Sequence, residues 1–168
     1  MIKKFIRRIL GVSPKAGAAT EPMVFEQSAH GIDLDDVSSN EFVVANQVVC
    51  TLGPEKRFDL VGFVNGLPLV LGEAKSPTRP SVSWVDGAAQ VHDDYEQNVP
   101  GFFVPNVFSF ATEGRCYRYG SIRMPIDMWG PWRDDANQDE GELRHVHSTV
   151  KSMLRPEVVL DILQNFTL

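Results

Sequence analysis

At 168 residues, 43% hydrophobic and 23% charged, the chain has the composition of a globular protein and is long enough for one domain with a substantial core. No apolar run reaches the ~18 residues of a membrane span, no secretory pattern opens the chain, and Cys50 and Cys116 stand alone, which fits a reducing cytoplasm rather than a disulfide or zinc framework. The net charge of −6 argues against a surface that grips nucleic acid all over; five basic residues and no acid occupy the first fifteen positions, leaving a body of −11.

Residues 2–10 place Ile2, Phe5, Ile6, Ile9 and Leu10 at helical spacing with Lys3, Lys4, Arg7 and Arg8 opposite, a short basic amphipathic helix. Residues 11–23 read as linker, and 24–40 are polar and acidic without a period. Residues 1–40 are therefore expected to be a poorly ordered basic segment and linker, with the domain spanning 41–168. Strands are predicted over 42–52, 58–64, 67–74, 104–112 and 116–121. A helix fits 83–98, with Ser83 as N-cap and Pro100 as stop. Two further helices follow the Trp129–Trp132 segment, near 140–153 and 156–165. This order predicts a mixed α/β sheet.

The pair 58–64 and 67–74 carries the chemistry. Asn65-Gly66 predicts a two-residue turn joining Val64 to Leu67. The strands are apolar except for Asp59, Glu73 and Lys75, and buried charges are costly unless paired or bound to a metal. Glu73 and Lys75, two apart, share a face. An uninterrupted ladder from Val64–Leu67 sets Asp59 opposite Gly72 and points Glu73 to the other face. Only a one-residue shift, by a β-bulge or a longer loop, brings the two carboxylates together. From these residues alone, a structural ion pair and a nuclease metal site both stay open.

Asn46-Gln47-Val48, RFDLVGFVNGLPLVLGEAKSP, DGAAQVHDDYEQNVPGFF, NVFSFATEGRCYRYGS, Trp129–Arg133 and the close MLRPEVVLDILQNFTL together resemble the N-terminal endonuclease domain of type I restriction enzyme R (motor) subunits. The likeness covers residues 40–168. It implies a restriction-endonuclease-like α/β fold of the PD-(D/E)xK class: a mixed sheet flanked by helices, with a C-terminal helical extension. It implies Asp59 and Glu73 as metal-binding acids, Lys75 as the catalytic lysine, and Gln90 and Tyr95 as the Gln and Tyr of the following helix. Phe58 stands where the family usually has Pro, and the Gln90–Tyr95 spacing is one residue longer than the commonest pattern. No counterpart is evident for much of the family's N-terminal region. The family's ATP-driven motor also has no counterpart, and no Gly-x4-Gly-Lys-Ser/Thr loop occurs. Separately, MIKKFIRRILG and HGIDLDDVSSN are similar to the opening of bacterial poly(A) polymerases; the Asp-x-Asp pair needed behind a Gly-Ser is missing after Gly120-Ser121.

The first resemblance implies Mg²⁺-dependent hydrolysis of DNA. Asp59, Glu73 and the Ala74 carbonyl would offer hard oxygens to the ion, while Lys75 would orient or deprotonate the attacking water or offset charge on phosphate. Gln90 completes the expected catalytic set. Expected partners are double-stranded DNA and the methyltransferase and specificity subunits of a restriction complex, in the cytoplasm and not at a membrane; ATP would enter only through a motor domain. The alternatives are a docking module that keeps the fold without catalysis and a remnant of an RNA-tailing nucleotidyltransferase. His92 reads as solvated, His145 and His147 as a poor metal pair, and Trp129 and Trp132 as packing anchors. Arg115, Arg118 and Arg123 read as surface residues within possible reach of phosphate.

Overall fold

A computed structural model describes residues 31–166, apart from 77, 79, 80 and 135–138. The basic amphipathic helix and linker expected over residues 2–23 lie outside the described residues. Strands β1 (Phe42–Cys50), β2 (Lys56–Val64), β3 (Leu67–Ala74), β4 (Phe108–Thr112) and β5 (Tyr117–Gly120) form one sheet in the order β1-β2-β3-β4-β5. All neighbours are antiparallel except β3 and β4, which run parallel because helix α1 carries the chain across between them. The α/β mixed sheet with its C-terminal helices α2 (Leu143–Met153) and α3 (Pro156–Phe166) agrees with the fold class read from the sequence.

Helix α1 (84–98) is capped by Ser83, whose hydroxyl accepts from the Val85 amide while Asp86 returns a bond to the Ser83 amide. It is α-helical over Trp84–Ala89, widens to a π turn over Gln90–Tyr95, and closes with one α turn, Glu96–Asn98. A 3-10 turn, Pro100–Phe103, follows directly. That turn shortens the next strand. Val104 is left 84% exposed and pairing starts at Phe108, four residues later than the apolar run predicts.

The sheet separates two cores. On one side Leu60, Val64, Val70, Phe108 and Phe110 pack with Val146, Val150 and Met153 of α2 and Val159 and Leu160 of α3. On the other, Phe58, Val61, Phe63 and Leu71 pack with Ala88, Val91 and Tyr95 of α1 and with Phe102 and Phe103. Gly72 makes the first core possible at its centre, since a methyl there would sit 2.2 Å from the Phe110 ring. Trp129 lies buried over Gly120 and donates its indole N–H to the Met124 carbonyl, while Trp132 donates to Ser152. Both tryptophans are packing anchors.

Upstream of β1, residues 31–40 lie against the domain. Ile32 and Val37 pack on the α2–α3 core, and a short 3-10 turn, Val37–Ser39, is capped by Asp36. The link is Asn65, in the β2–β3 turn. Its side chain donates to the Gly31 carbonyl and the Asn40 side chain, and it accepts from the Glu41 amide at 2.8 Å.

Candidate active site

The Asn65-Gly66 turn is the two-residue type expected, with φ of 49° and 81° and Val64 paired to Leu67. The ladder does not continue regularly. Phe63 pairs with Pro68 but Gly62 pairs with Val70, so Leu69 is an extra residue in β3. Leu69 and Val70, though consecutive, both enter the α2–α3 core. Pro68 has no amide hydrogen to give, and the irregularity sits beside it. Beyond the bulge Leu60 faces Gly72, so Asp59 stands next to Glu73 and their side chains leave the sheet on one side.

Glu73 is 4% exposed. Its Oε1 accepts from Lys75 Nζ at 3.0 Å and its Oε2 from the Tyr95 hydroxyl at 3.3 Å. Burial, and then the neighbouring charge of Asp59, push its pKa up to about 7; the bonds from Lys75 and Tyr95 only partly offset this. Asp59 is half-buried and held on both oxygens. Oδ1 accepts from Gln47 Nε2 at 2.8 Å and Oδ2 from the Ala74 amide at 3.1 Å. Gly87 lets α1 approach, with its Cα hydrogen side facing Ala111 and the Glu73 side chain.

Gln90 joins this group through the π turn. Its Oε1 accepts from Lys75 Nζ and its Nε2 donates to the Tyr95 hydroxyl. The single Tyr95 hydroxyl hydrogen is shared between Glu73 and the Arg57 carbonyl, and burial, with the Glu73 charge, raises the Tyr95 pKa well above the ordinary value. In an α-helix positions four apart lie on one face; in a π turn, positions five apart do. The Glu96 amide accordingly bonds to the carbonyl of Val91, five residues back. The extra residue between Gln90 and Tyr95 is thus absorbed by the wider turn, and both side chains still reach β3.

Asp59, Glu73, Lys75 and Gln90 therefore converge, and Ala74 takes part through its amide. Of the histidines, His92 pairs with Asp93, and His145 accepts from Arg144. Among the described residues no three His, Cys, Asp or Glu side chains gather at metal distance. Arg118 is committed to Glu140 and stacks over Trp84, while the Arg123 amide donates to Glu96. Sequence reasoning missed one contributor, Gln47. Gln47 belongs to the Asn46-Gln47-Val48 part of the family likeness, and no periodicity marks a residue on β1 as a partner of Asp59.

Residues 20–125 match the family described as the type I restriction enzyme R protein N terminus. The chain belongs to that family. This family's match begins upstream of residue 40 and takes in the acidic stretch that also resembles poly(A) polymerases. The chain is 30% identical over 146 residues to the type I restriction enzyme HindI endonuclease subunit of Haemophilus influenzae, covering 82% of this chain and 14% of that protein. It is 29% identical over 140 residues to the putative type I restriction enzyme MjaIXP endonuclease subunit of Methanocaldococcus jannaschii, covering 79% of this chain and 13% of that protein. The chain thus spans about one seventh of these relatives. Among the described residues no helix is long and apolar enough to cross a membrane.

Proposed function

We propose that this chain is the Mg²⁺-dependent DNA-cleaving module of a type I restriction system, hydrolysing phosphodiester bonds in double-stranded DNA. The observation that carries this is the Leu69 bulge. It places Asp59 beside a buried Glu73 where a regular ladder would send Glu73 to the opposite face.

The donor set fits a hard divalent cation. Two carboxylates stand together with one ammonium bonded to Glu73, and burial, followed by the charge of Asp59, raises the Glu73 pKa. Asp59 and Glu73 would hold the ion, with the Ala74 carbonyl as a third oxygen and water at the remaining positions. When bound, Mg²⁺ would supply Lewis-acid stabilisation of charge on the phosphate and acidify water. Lys75 then has two roles open to it: orienting the attacking water and offsetting negative charge on the phosphate oxygens. Gln90 holds the Lys75 ammonium from the α1 side, and Tyr95 holds the far oxygen of Glu73. Target selection is assigned to other subunits of the complex, the methyltransferase and specificity subunits, and ATP to a motor domain. A cytoplasmic setting suits the two free thiols.

The test is Mn²⁺ binding, followed by electron paramagnetic resonance, beside nicking of supercoiled plasmid in Mg²⁺. Wild type should bind and nick. Asp59→Ala and Glu73→Ala should do neither while keeping their near-ultraviolet circular dichroism. Unchanged Mn²⁺ binding in Asp59→Ala would overturn the proposal, and global unfolding of both variants would return the site to a structural ion pair.

A further inference from the structure

Gln47 is the one non-glycine residue within a described strand that has a positive φ, 56°, a conformation side chains seldom adopt. It lies between the pairs Asn46–Leu60 and Val48–Phe58, directly across from Asp59. The strands change face there. Val44 and Leu60 pack with the α2–α3 core, while Val48, Cys50 and Phe58 pack with the α1 core, although all five are even-numbered. Backbone strain of this kind collects at functional sites, where surrounding structure maintains it.

The side chain at this point has a specific partner. Gln47 Nε2 donates to Asp59 Oδ1 at 2.8 Å, and the Ala74 amide donates to Oδ2 at 3.1 Å. The two donors come from the strands on either side of β2, so rotation of the carboxylate about its last torsion is blocked from both directions. Each oxygen keeps a lone pair free. Ala74 supplies its bond from the backbone, which substitution cannot remove. Gln47 supplies the other from a side chain, and a strained backbone brings it there.

We infer that Gln47 is a positioning residue, fixing the rotation of the Asp59 carboxylate through its side-chain amide and so setting the site's affinity for a divalent cation. This rests on the nuclease reading above. Partners that orient metal ligands are typically worth about 10–100-fold in metal affinity.

The experiment is Mn²⁺ titration of the full chain in wild type, Gln47→Gly, Gln47→Asn and Asp59→Ala, with thermal midpoints recorded alongside. Glycine accepts the positive φ without strain, and asparagine tolerates it but is one methylene too short to reach Asp59. Both Gln47 variants should fold and bind Mn²⁺ roughly tenfold or more weakly, and Asp59→Ala should not bind. Wild-type affinity in both Gln47 variants, with binding lost in Asp59→Ala, would sink the positioning role alone. Persistent binding in Asp59→Ala would remove the nuclease reading itself. Loss of the folded signature in both Gln47 variants would make Gln47 a folding residue and end the proposal.

Discussion

The β2–β3 hairpin has two ends built on opposite terms. At the turn end every local preference agrees: Asn65 and Gly66 take the positive φ their types tolerate, Val64 meets Leu67, and the Asn65 side chain ties in residues 31–41. The other end depends on three local irregularities: the Leu69 bulge, which lies close to the turn and shifts the register beyond it, positive φ at Gln47, and a π turn from Gln90 to Tyr95. Each of them aims a polar side chain at one point. Regularity there would have been more stable locally and would have scattered Asp59, Glu73 and Gln90. The sheet is thus anchored at one end and distorted for chemistry at the other.

The largest expected effect comes from removing the bulge. Deleting Leu69 should give a regular ladder in which Gly62 still meets Val70 and Asp59 still stands beside Glu73, so Mn²⁺ binding should persist. Loss of a buried leucine should still cost about 2–5 kcal/mol, readable by urea unfolding. A folded deletion variant that no longer binds Mn²⁺ would show that the bulge shapes the site beyond setting its register.

The next effect is a pH dependence at the distorted end. Glu73 has a folded-state pKa raised to about 7 from 4.5. Its stabilising contribution is therefore fully present below about pH 4.5 and is lost as pH rises to about 7, on the order of 2–3 kcal/mol for the cation-free protein. Burial raises Glu96 in the same direction, so its contribution has the same sign. Thermal midpoints at pH 5.5 and 8 should differ clearly in wild type and much less in Glu73→Gln. Mn²⁺ affinity should rise over the same window, because the cation competes with a proton on Glu73. A midpoint that climbs with pH in wild type and not in the variant would contradict the burial argument.

Smaller still is the effect of cutting away the turn end's support. Deleting residues 1–40 removes the packing of Ile32 and Val37 and the bonds of Asn65 to Gly31 and Asn40. A loss of about 1–3 kcal/mol should lower the midpoint by roughly 3–10 °C. Mn²⁺ binding, at the far end of the hairpin, should not change; a parallel loss of binding would mean that the two ends are coupled.

The smallest effect is the most specific. Asp93 is exposed within the π turn, and deleting it should let α1 continue as an ordinary α-helix with Gln90 and the tyrosine four apart. Stability should stay within about 0.5 kcal/mol, as for other surface changes, and Mn²⁺ affinity should hold. In a regular helix the same deletion would turn the following residues by about 100° and unpack Tyr95. A collapse in stability would therefore show that the π turn is not a simple insertion.

Local sequence alone determined a good deal here. Alternation, the Asn-Gly turn, the Ser83 cap and the amphipathic stretches near the C-terminus put strands β1 to β3 and helices α1 to α3 within a few residues of where they lie. Period-two geometry put Glu73 and Lys75 on one face. These features depend on neighbours a few positions apart, which the chain writes explicitly.

Three decisions belonged to the tertiary structure. Whether Asp59 joined Glu73 depended on an extra residue in β3, and the sequence stated only that some shift was needed. Whether Gln90 reached Lys75 across a spacing one residue too long depended on α1 widening over β3. The partner of Asp59 on β1 had no sequence signal at all. A bulge, a π turn and a positive φ each cost little more than the regular alternative, about 1–3 kcal/mol. Packing of two cores against the sheet outweighs differences of that size, so the choice is made by the assembled fold and not by the local chain.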